Sequence, residues 1–384
     1  MILVAVRYLA IFLLLAVSIC AAQEDIADQI RSAQAAGDYA KAAKLYQQLI
    51  ASGEDTPEIH SNRGIMLHLA GRNQEALVEF RNALRKKPGM VGTNLFAGEA
   101  ELDSGHPREA IPFLEKAHAL APNDTAPLLL LGKTQVAVRD FAAANQSYVA
   151  AASLNPRLAE AWYGVGITAR SLADQMLNRA ARGEPEQKAE TQALLNQALA
   201  ALKRAVELEP NSARSHLILA ESFRDSGNLA EAVPEYQKAI QMDPHMDAAY
   251  LGLATGYWKA REFDEALPLL KRVLASSPKD PEANGIMADI LEHDAEYEKA
   301  RPYAETALAG NPDLIQTHIV LARIDLETKH PERVAHDLGD VLGADRDGTY
   351  HFLLYRAYKA LGKQADANAA LAEFKRLRKL GSSN

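Results

Sequence analysis

One cysteine, Cys20, is all that 384 residues provide. That excludes a disulfide framework within the chain and any metal or iron–sulfur site built from several cysteines. Aromatic residues are scarce at 6%, which suits helices packed through small side chains better than a β-sandwich. Basic residues are in deficit, 42 against 50 acidic, for a net charge of -8. A binding mode that depends on neutralising nucleic-acid phosphates is therefore disfavoured, and no nucleic-acid partner is expected. Apart from the N-terminus, no stretch of eighteen apolar residues occurs. What is present is 48% hydrophobic and 24% charged, ample for a folded core.

The first 22 residues read as a secretory signal. Arg7 precedes an apolar run from Leu9 to Ile19, and the small residues Ala21 and Ala22 suit a cleavage site before Gln23-Glu24-Asp25. Two alternatives stay open. The segment is an uncleaved anchor, or Cys20 is lipidated, since Val17-Ser18-Ile19-Cys20 resembles a bacterial lipobox, with the bulky Ile19 departing from it. Membrane association is expected only under those alternatives.

The rest of the chain keeps a period. Pro88, Pro122 and Pro156 are 34 residues apart, as are Pro210, Pro244, Pro278 and Pro312. The gap between Pro156 and Pro210 is 54, one period plus an insertion of 20. Alanine stands twelve residues before each proline (Ala76, Ala110, Ala144, Ala198, Ala232, Ala266, Ala300). Five before stand Ala83, Ala117, Ala151, Ala205, Ala239 and Ala307, with Val273 the exception. Twenty-four before stand Gly64, Gly98, Gly132, Ala220, Ala254 and Ala288, and eight before comes an aromatic or leucine such as Phe80, Leu114, Tyr148, Leu202, Tyr236 or Leu270. Each unit holds two segments of helical spacing, broken by turns such as Ala70-Gly71-Arg72 and Ser226-Gly227-Asn228. Small residues let two helices approach, large ones fill the gap to the next pair, and proline stops the second helix. A 34-residue hairpin cannot bury its apolar face alone, so neighbours must stack.

This pattern resembles the tetratricopeptide repeat family. The signature appears as Trp162, Val165, Gly166, Ala198, Leu202, Ala205 and Pro210, and again as Tyr250, Leu253, Ala254, Tyr257, Ala266, Leu270 and Pro278. The resemblance spans residues 23–382 in about ten repeats and implies an all-α, right-handed superhelical solenoid of helix-turn-helix hairpins. It implies that the first helix of each hairpin lines a concave groove where a protein or peptide partner lies. Carried over by position, the lining comprises Lys133, Tyr163, Arg170, Arg214, Leu217, Glu221, Arg224, Leu251 and Trp258, with Glu99, Arg323 and Arg356 flanking. Leu129, Tyr163, Leu217, Leu251 and Trp258 then form an apolar stripe beside cations, a surface for an extended peptide bearing an acid, though the stripe is equally readable as packing between hairpins. The family's clamp for C-terminal carboxylates is not reproduced: Asn62 matches one place, but Leu95, Phe96 and Leu129 do not match the others.

The insertion, near residues 173–192, has good helix formers on both sides of Arg182-Gly183-Glu184-Pro185. Both helices are expected to lengthen by about ten residues, roughly 15 Å each. Leu172, Met176 and Leu177 would face Leu194, Leu195 and Ala198. The finger is either a tolerated insertion or a docking element.

No catalytic constellation is found: no phosphate loop, no Gly-x-Ser-x-Gly, no His-Glu-x-x-His. His330 and His336 are six apart, a spacing that does not share a helix face. The basic end Lys375-Arg376-x-Arg378-Lys379 invites an anionic-lipid or nucleic-acid reading, but a solvated charged face accounts for it. No cofactor and no metal are expected. The sequence thus points to an exported, non-catalytic interaction scaffold of the bacterial cell envelope, periplasmic or extracellular. The alternative is an assembly subunit of an envelope machine, for polysaccharide export or outer-membrane biogenesis, contacted through the extended hairpin or the convex face.

Overall fold

In the computed structural model the described residues are 21–181, 187–339 and 341–381. The apolar run and Cys20, and the segment Arg182-Gly183-Glu184-Pro185, lie outside them. Among the described residues there are twenty α-helices and one 3-10 turn, and no strand. The chain divides into two units, one ending at Pro210 and one beginning at Asn211, each taken here by itself.

Helices pair as the period requires. In the first unit the pairs are α1 (Ala21–Ala35) with α2 (Tyr39–Ala51), α3 (Pro57–Leu69) with α4 (Asn73–Lys86), α5 (Val91–Asp103) with α6 (Pro107–Leu120), α7 (Thr125–Ala137) with α8 (Phe141–Leu154), and α9 (Ala159–Ala181) with α10 (Lys188–Leu208). In the second they are α11 (Ala213–Asp225) with α12 (Leu229–Met242), α13 (Asp247–Lys259) with α14 (Phe263–Ser276), α15 (Pro281–His293) with α16 (Tyr297–Gly310), α17 (Ile315–Glu327) with α18 (Pro331–Gly339), and α19 (Thr349–Ala360) with α20 (Gln364–Gly381). Within each unit the first helix of a hairpin touches the first helix of the next, so these helices share one side.

Each periodic residue has a physical task. The residue before each proline lies outside the helical region, with φ between -128° and -147°, because the pyrrolidine ring disfavours the helical conformation there. At Pro88, Pro156, Pro278 and Pro312 the proline carbonyl, left without a helical donor, is met by the side chain six residues on. Asn94 Nδ2 donates to Pro88 at 3.2 Å, Trp162 Nε1 to Pro156 at 3.0 Å, and Asn284 Nδ2 to Pro278 at 3.1 Å, while His318 Nε2 lies 2.9 Å from the Pro312 oxygen. Helix starts are capped by Thr56, Asp124, Ser212 and Asp280 on first helices and by Asp38 and Asp140 on second helices. The twelfth-before alanines are all buried, as are those five before. The small residue twenty-four before faces the large one eight before: a Cβ on Gly64 would meet the Phe80 ring at 2.5 Å, and one on Gly98 would meet Leu114 at 2.5 Å.

In the nine hairpins whose turns lie among the described residues the turn has one left-handed residue, and glycine fills it at Gly37, Gly71, Gly105, Gly227 and Gly362. Arg139, Arg261, Ala295 and Lys329 hold the same place, with φ between 59° and 65°. At Ala295 the following amide of Glu296 reaches back 2.8 Å to the Leu291 carbonyl, closing the helix end. Ala295→Gly keeps that bond and removes the Cβ clash. It is expected to raise stability by about 1 kcal/mol in urea unfolding, with Gly227→Ala losing a similar amount.

The pair α9 and α10 is longer than its neighbours, 23 and 21 residues against 13 and 14 in the preceding hairpin. Its seam is made of small residues. Ala173, Thr191 and Ala198 are buried, and the Thr191 hydroxyl lies 3.7 Å from the Met176 sulfur. Leu177 points to solvent at 44% exposure instead of joining that seam, because helix periodicity places Ala173 and Met176 inward.

Candidate partner-binding surface

The residues assigned to the groove all lie on first helices. Lys133 is on α7, Tyr163 and Arg170 are on α9, Arg214, Leu217, Glu221 and Arg224 are on α11, and Leu251 and Trp258 are on α13. The first three belong to the first unit and the rest to the second.

In the first unit Lys133 is exposed, while Tyr163 and Arg170, seven residues apart on one face of α9, are half-buried and engaged by neighbours. Beside Lys133 stands Glu99 of α5. Burial pushes the Glu99 carboxyl up from its ordinary range; His68, 3.8 Å away, and the Lys133 ammonium work against that rise. Between α8, α9 and α10 an apolar cleft is bounded by Val149, Ala152, Trp162, Val165 and Ala200.

In the second unit Leu251 and Trp258 lie two turns apart on α13, both half-buried against the core around Leu270 and Ile286. Arg224 reaches toward them, its Cγ 3.9 Å from where a Cβ on Gly256 would sit. Leu217 is only 8% exposed, so it belongs to the wall beneath the surface, while Arg214 is exposed and Glu221 half-buried.

Around these residues runs a network that periodicity alone does not reveal. Trp258 Nε1 donates to Asp289 Oδ2 at 2.7 Å, and Gln316 Nε2 donates to Asp289 Oδ1 at 3.1 Å. The Thr255 hydroxyl donates to Glu282 at 3.0 Å. Arg323 lies 3.6 Å from Glu292, and Arg356 donates to Glu327 at 2.9 Å. Burial, with Asp289 alongside, raises the Glu292 carboxyl against the pull of Arg323. Arg224 donates twice to Asp225, at 2.9 and 3.1 Å. Burial lowers the Arg224 pKa, but neighbouring Tyr236 and the carboxylates of Asp225 and Glu221 outweigh it, so the net shift is upward and the cation is favoured. Of the cations read as facing an acidic ligand, Lys133, Arg170, Arg214 and Arg224, the last already holds a carboxylate, as do the flanking Arg323 and Arg356. The signal for Asp289 and Glu292 was available as one face of α15, but only their partners on α13 and α17 show what they do.

Among the described residues no group of three or more His, Cys, Asp or Glu side chains is placed to hold a metal ion, and no helix is long and apolar enough to cross a membrane.

Two family models, both of the tetratricopeptide repeat, match the chain, one over residues 27–91 and 190–247 and the other over 223–290. The chain is a tetratricopeptide repeat protein. A comparison with curated proteins returns no match. Among solved structures, that of MamA is 21% identical, with a TM-score of 0.42, covering 50% of this chain and 93% of that one. YrrB, described as a tetratricopeptide repeat protein with an unusual peptide-binding site, is 20% identical, with a TM-score of 0.44, covering 54% and 97%. The pilF protein of Pseudomonas aeruginosa is 15% identical, with a TM-score of 0.49, covering 61% and 97%. Tetratricopeptide repeats serve as protein–protein interaction scaffolds, and in this one the first helices carry a half-buried tryptophan fixed by a carboxylate.

Proposed function

We propose that this tetratricopeptide repeat protein is a non-catalytic scaffold of the bacterial cell envelope that holds an extended partner segment on the first helices of its second unit. The observation that carries this reading is Trp258. Its indole is pinned by Asp289, with Leu251 two turns away on the same helix. An aromatic with one fixed orientation loses little freedom on binding, and such side chains dominate interface energies. Because Arg224, Arg323 and Arg356 are engaged, apolar burial on Trp258 and Leu251 contributes more than charge does. The first unit's Lys133, Tyr163 and Arg170 offer a second surface of the same kind.

Peptides selected from a displayed library on the purified chain test this. Trp258→Ala is expected to weaken the selected peptides at least about tenfold, and Asp289→Asn, which unpins the ring, by a smaller factor. Selected peptides that bind Trp258→Ala with unchanged Kd would overturn the reading. Export through residues 1–22 is part of the proposal. Intact mass of the chain recovered from the envelope fraction should be lower by that segment.

A second reading, an assembly subunit of an envelope machine, draws on the exposed Leu177 near the end of the elongated α9. Deleting residues 174–192 is expected to abolish assembly there while far-UV circular dichroism stays helical.

A further inference from the structure

The charge of the chain is unevenly placed. The final hairpin, α19 with α20, carries seven basic side chains and two acidic ones, a net +5 in a chain of net -8. All seven cations, Arg356, Lys359, Lys363, Lys375, Arg376, Arg378 and Lys379, are exposed. Arg356 is held by Glu327, Arg376 by Glu373, and Lys379 also has a partner, yet all of them remain exposed to solvent. Lys359 in the last turn of α19, and Arg378 and Lys379 in the last turn of α20, complement the helix dipoles, but that effect fades within one turn and does not reach Lys375 and Arg376.

Aromatic rings lie among these charges. Phe352, 40% exposed, stacks obliquely on Phe374 at 5.2 Å and on Tyr355 at 6.2 Å. Arg378 sits over the Phe374 ring at 5.7 Å and Lys359 over Tyr355 at 5.8 Å. Phe374 and Tyr355 thus each carry a cation over one face beside the exposed Phe352, an arrangement by which an apolar body enters an interface while its charged neighbours stay in water.

We propose that this terminal hairpin docks on an anionic phospholipid surface, with Phe352 entering the headgroup region and the α20 cations over the lipid phosphates. Charge complementarity selects the occupant. Lys375, Arg376, Arg378 and Lys379 fan over roughly 160° of the helix at about 100° per residue. A fan that broad suits many phosphates spread over a plane, whereas a single peptide carboxylate is held by a convergent pair.

Sedimentation of the full chain with vesicles tests this, using phosphatidylcholine alone and phosphatidylcholine with about one-third phosphatidylglycerol. The expected result is anionic-lipid-dependent binding, reduced about a hundredfold by reversing the four α20 cations (K375E, R376E, R378E, K379E), at a contribution near 1 kcal/mol per cation partly offset by screening. High salt should reduce it likewise. Reversal of Lys44, Lys116, Lys271 and Lys279, exposed elsewhere, should leave it within about twofold. Glutamine at the same four α20 positions gives a milder variant whose helicity is checked by circular dichroism, and it should lose most of the binding. Phe352→Ala should weaken binding by about threefold to tenfold while keeping the salt dependence. Equal binding to both vesicles, or binding that survives the α20 variants, overturns the proposal. Failure here leaves the peptide surface on α13 untouched, since its test contains no lipid.

Discussion

Arg301→Ala is expected to cost about 3–5 kcal/mol of stability at neutral pH, as for other buried ion pairs stripped of one partner. Asp325 on α17 is completely buried, and its carboxylate accepts from the Arg301 guanidinium on α16. Arg333 of α18 lies 3.9 Å from the same oxygen, and Glu305 lies 3.6 Å from Arg301. Asp337 of α18 completes the cluster. Burial, then Asp325 beside it, raises the Asp337 carboxyl to about 8, so that Asp337 keeps its proton at neutral pH. The folded state therefore binds a proton that the unfolded chain, with Asp337 near its ordinary 3.8, has released. The stability from that proton is full below about pH 4 and is lost as pH rises toward 8. Asp337→Asn should flatten this slope and raise stability at pH 8 by roughly 1–2 kcal/mol, a figure discounted for partial solvent access. Urea titrations from pH 4 to 9, with hydrogen exchange on α17 amides, measure both. A loss below about 1 kcal/mol in Arg301→Ala would mean that water or Arg333 replaces the lost partner.

Tyr148→Ala is expected to cost about 3–5 kcal/mol, the range for deleting a buried aromatic ring. This ring lies between two helices in the literal sense. A Cβ on Gly132 of α7 would come within 2.7 Å of it, and one on Gly164 of α9 within 2.3 Å. It is 7% exposed and joins the core of its own hairpin to the next through Val165 and Ala201. Gly164→Ala alone should lose about 1–3 kcal/mol by overpacking. In the double variant Gly164→Ala with Tyr148→Ala the two losses should fall short of their sum, because the added methyl enters the space the ring vacated. Additive losses measured by denaturant unfolding would show that the two sites do not share that space.

Much of this molecule was legible as spacing. Proline every 34 residues stops a helix wherever it occurs, since its ring disfavours the helical conformation of the residue before it. Alanine at the twelfth and fifth places, and glycine opposite Phe80 and Leu114, follow from how closely two helices approach. These rules are local or repeat along the chain, so one sequence suffices to read them. The turn residue was half legible. Gly71 and Gly227 announce a left-handed place, but Arg139 and Ala295 occupy it with a side chain that ordinarily avoids it. There the packing of the two helices, not the residue's own preference, decides the backbone.

The sequence by itself determined the all-α class, the hairpin unit and the helices that bear the candidate surface. Only the tertiary structure decided which charges on those helices are already spoken for. Arg224 turns to its neighbour Asp225, Arg323 and Arg356 turn to acids one hairpin back, and Trp258 to Asp289 one hairpin on. Long side chains reach several ångströms in any of a few rotamers, and periodicity places their Cβ atoms without choosing among them. The choice is made by the partner that removes the cost of burial, and for Arg323, Arg356 and Trp258 that partner lies about thirty residues away in sequence, on the first helix of the adjoining hairpin.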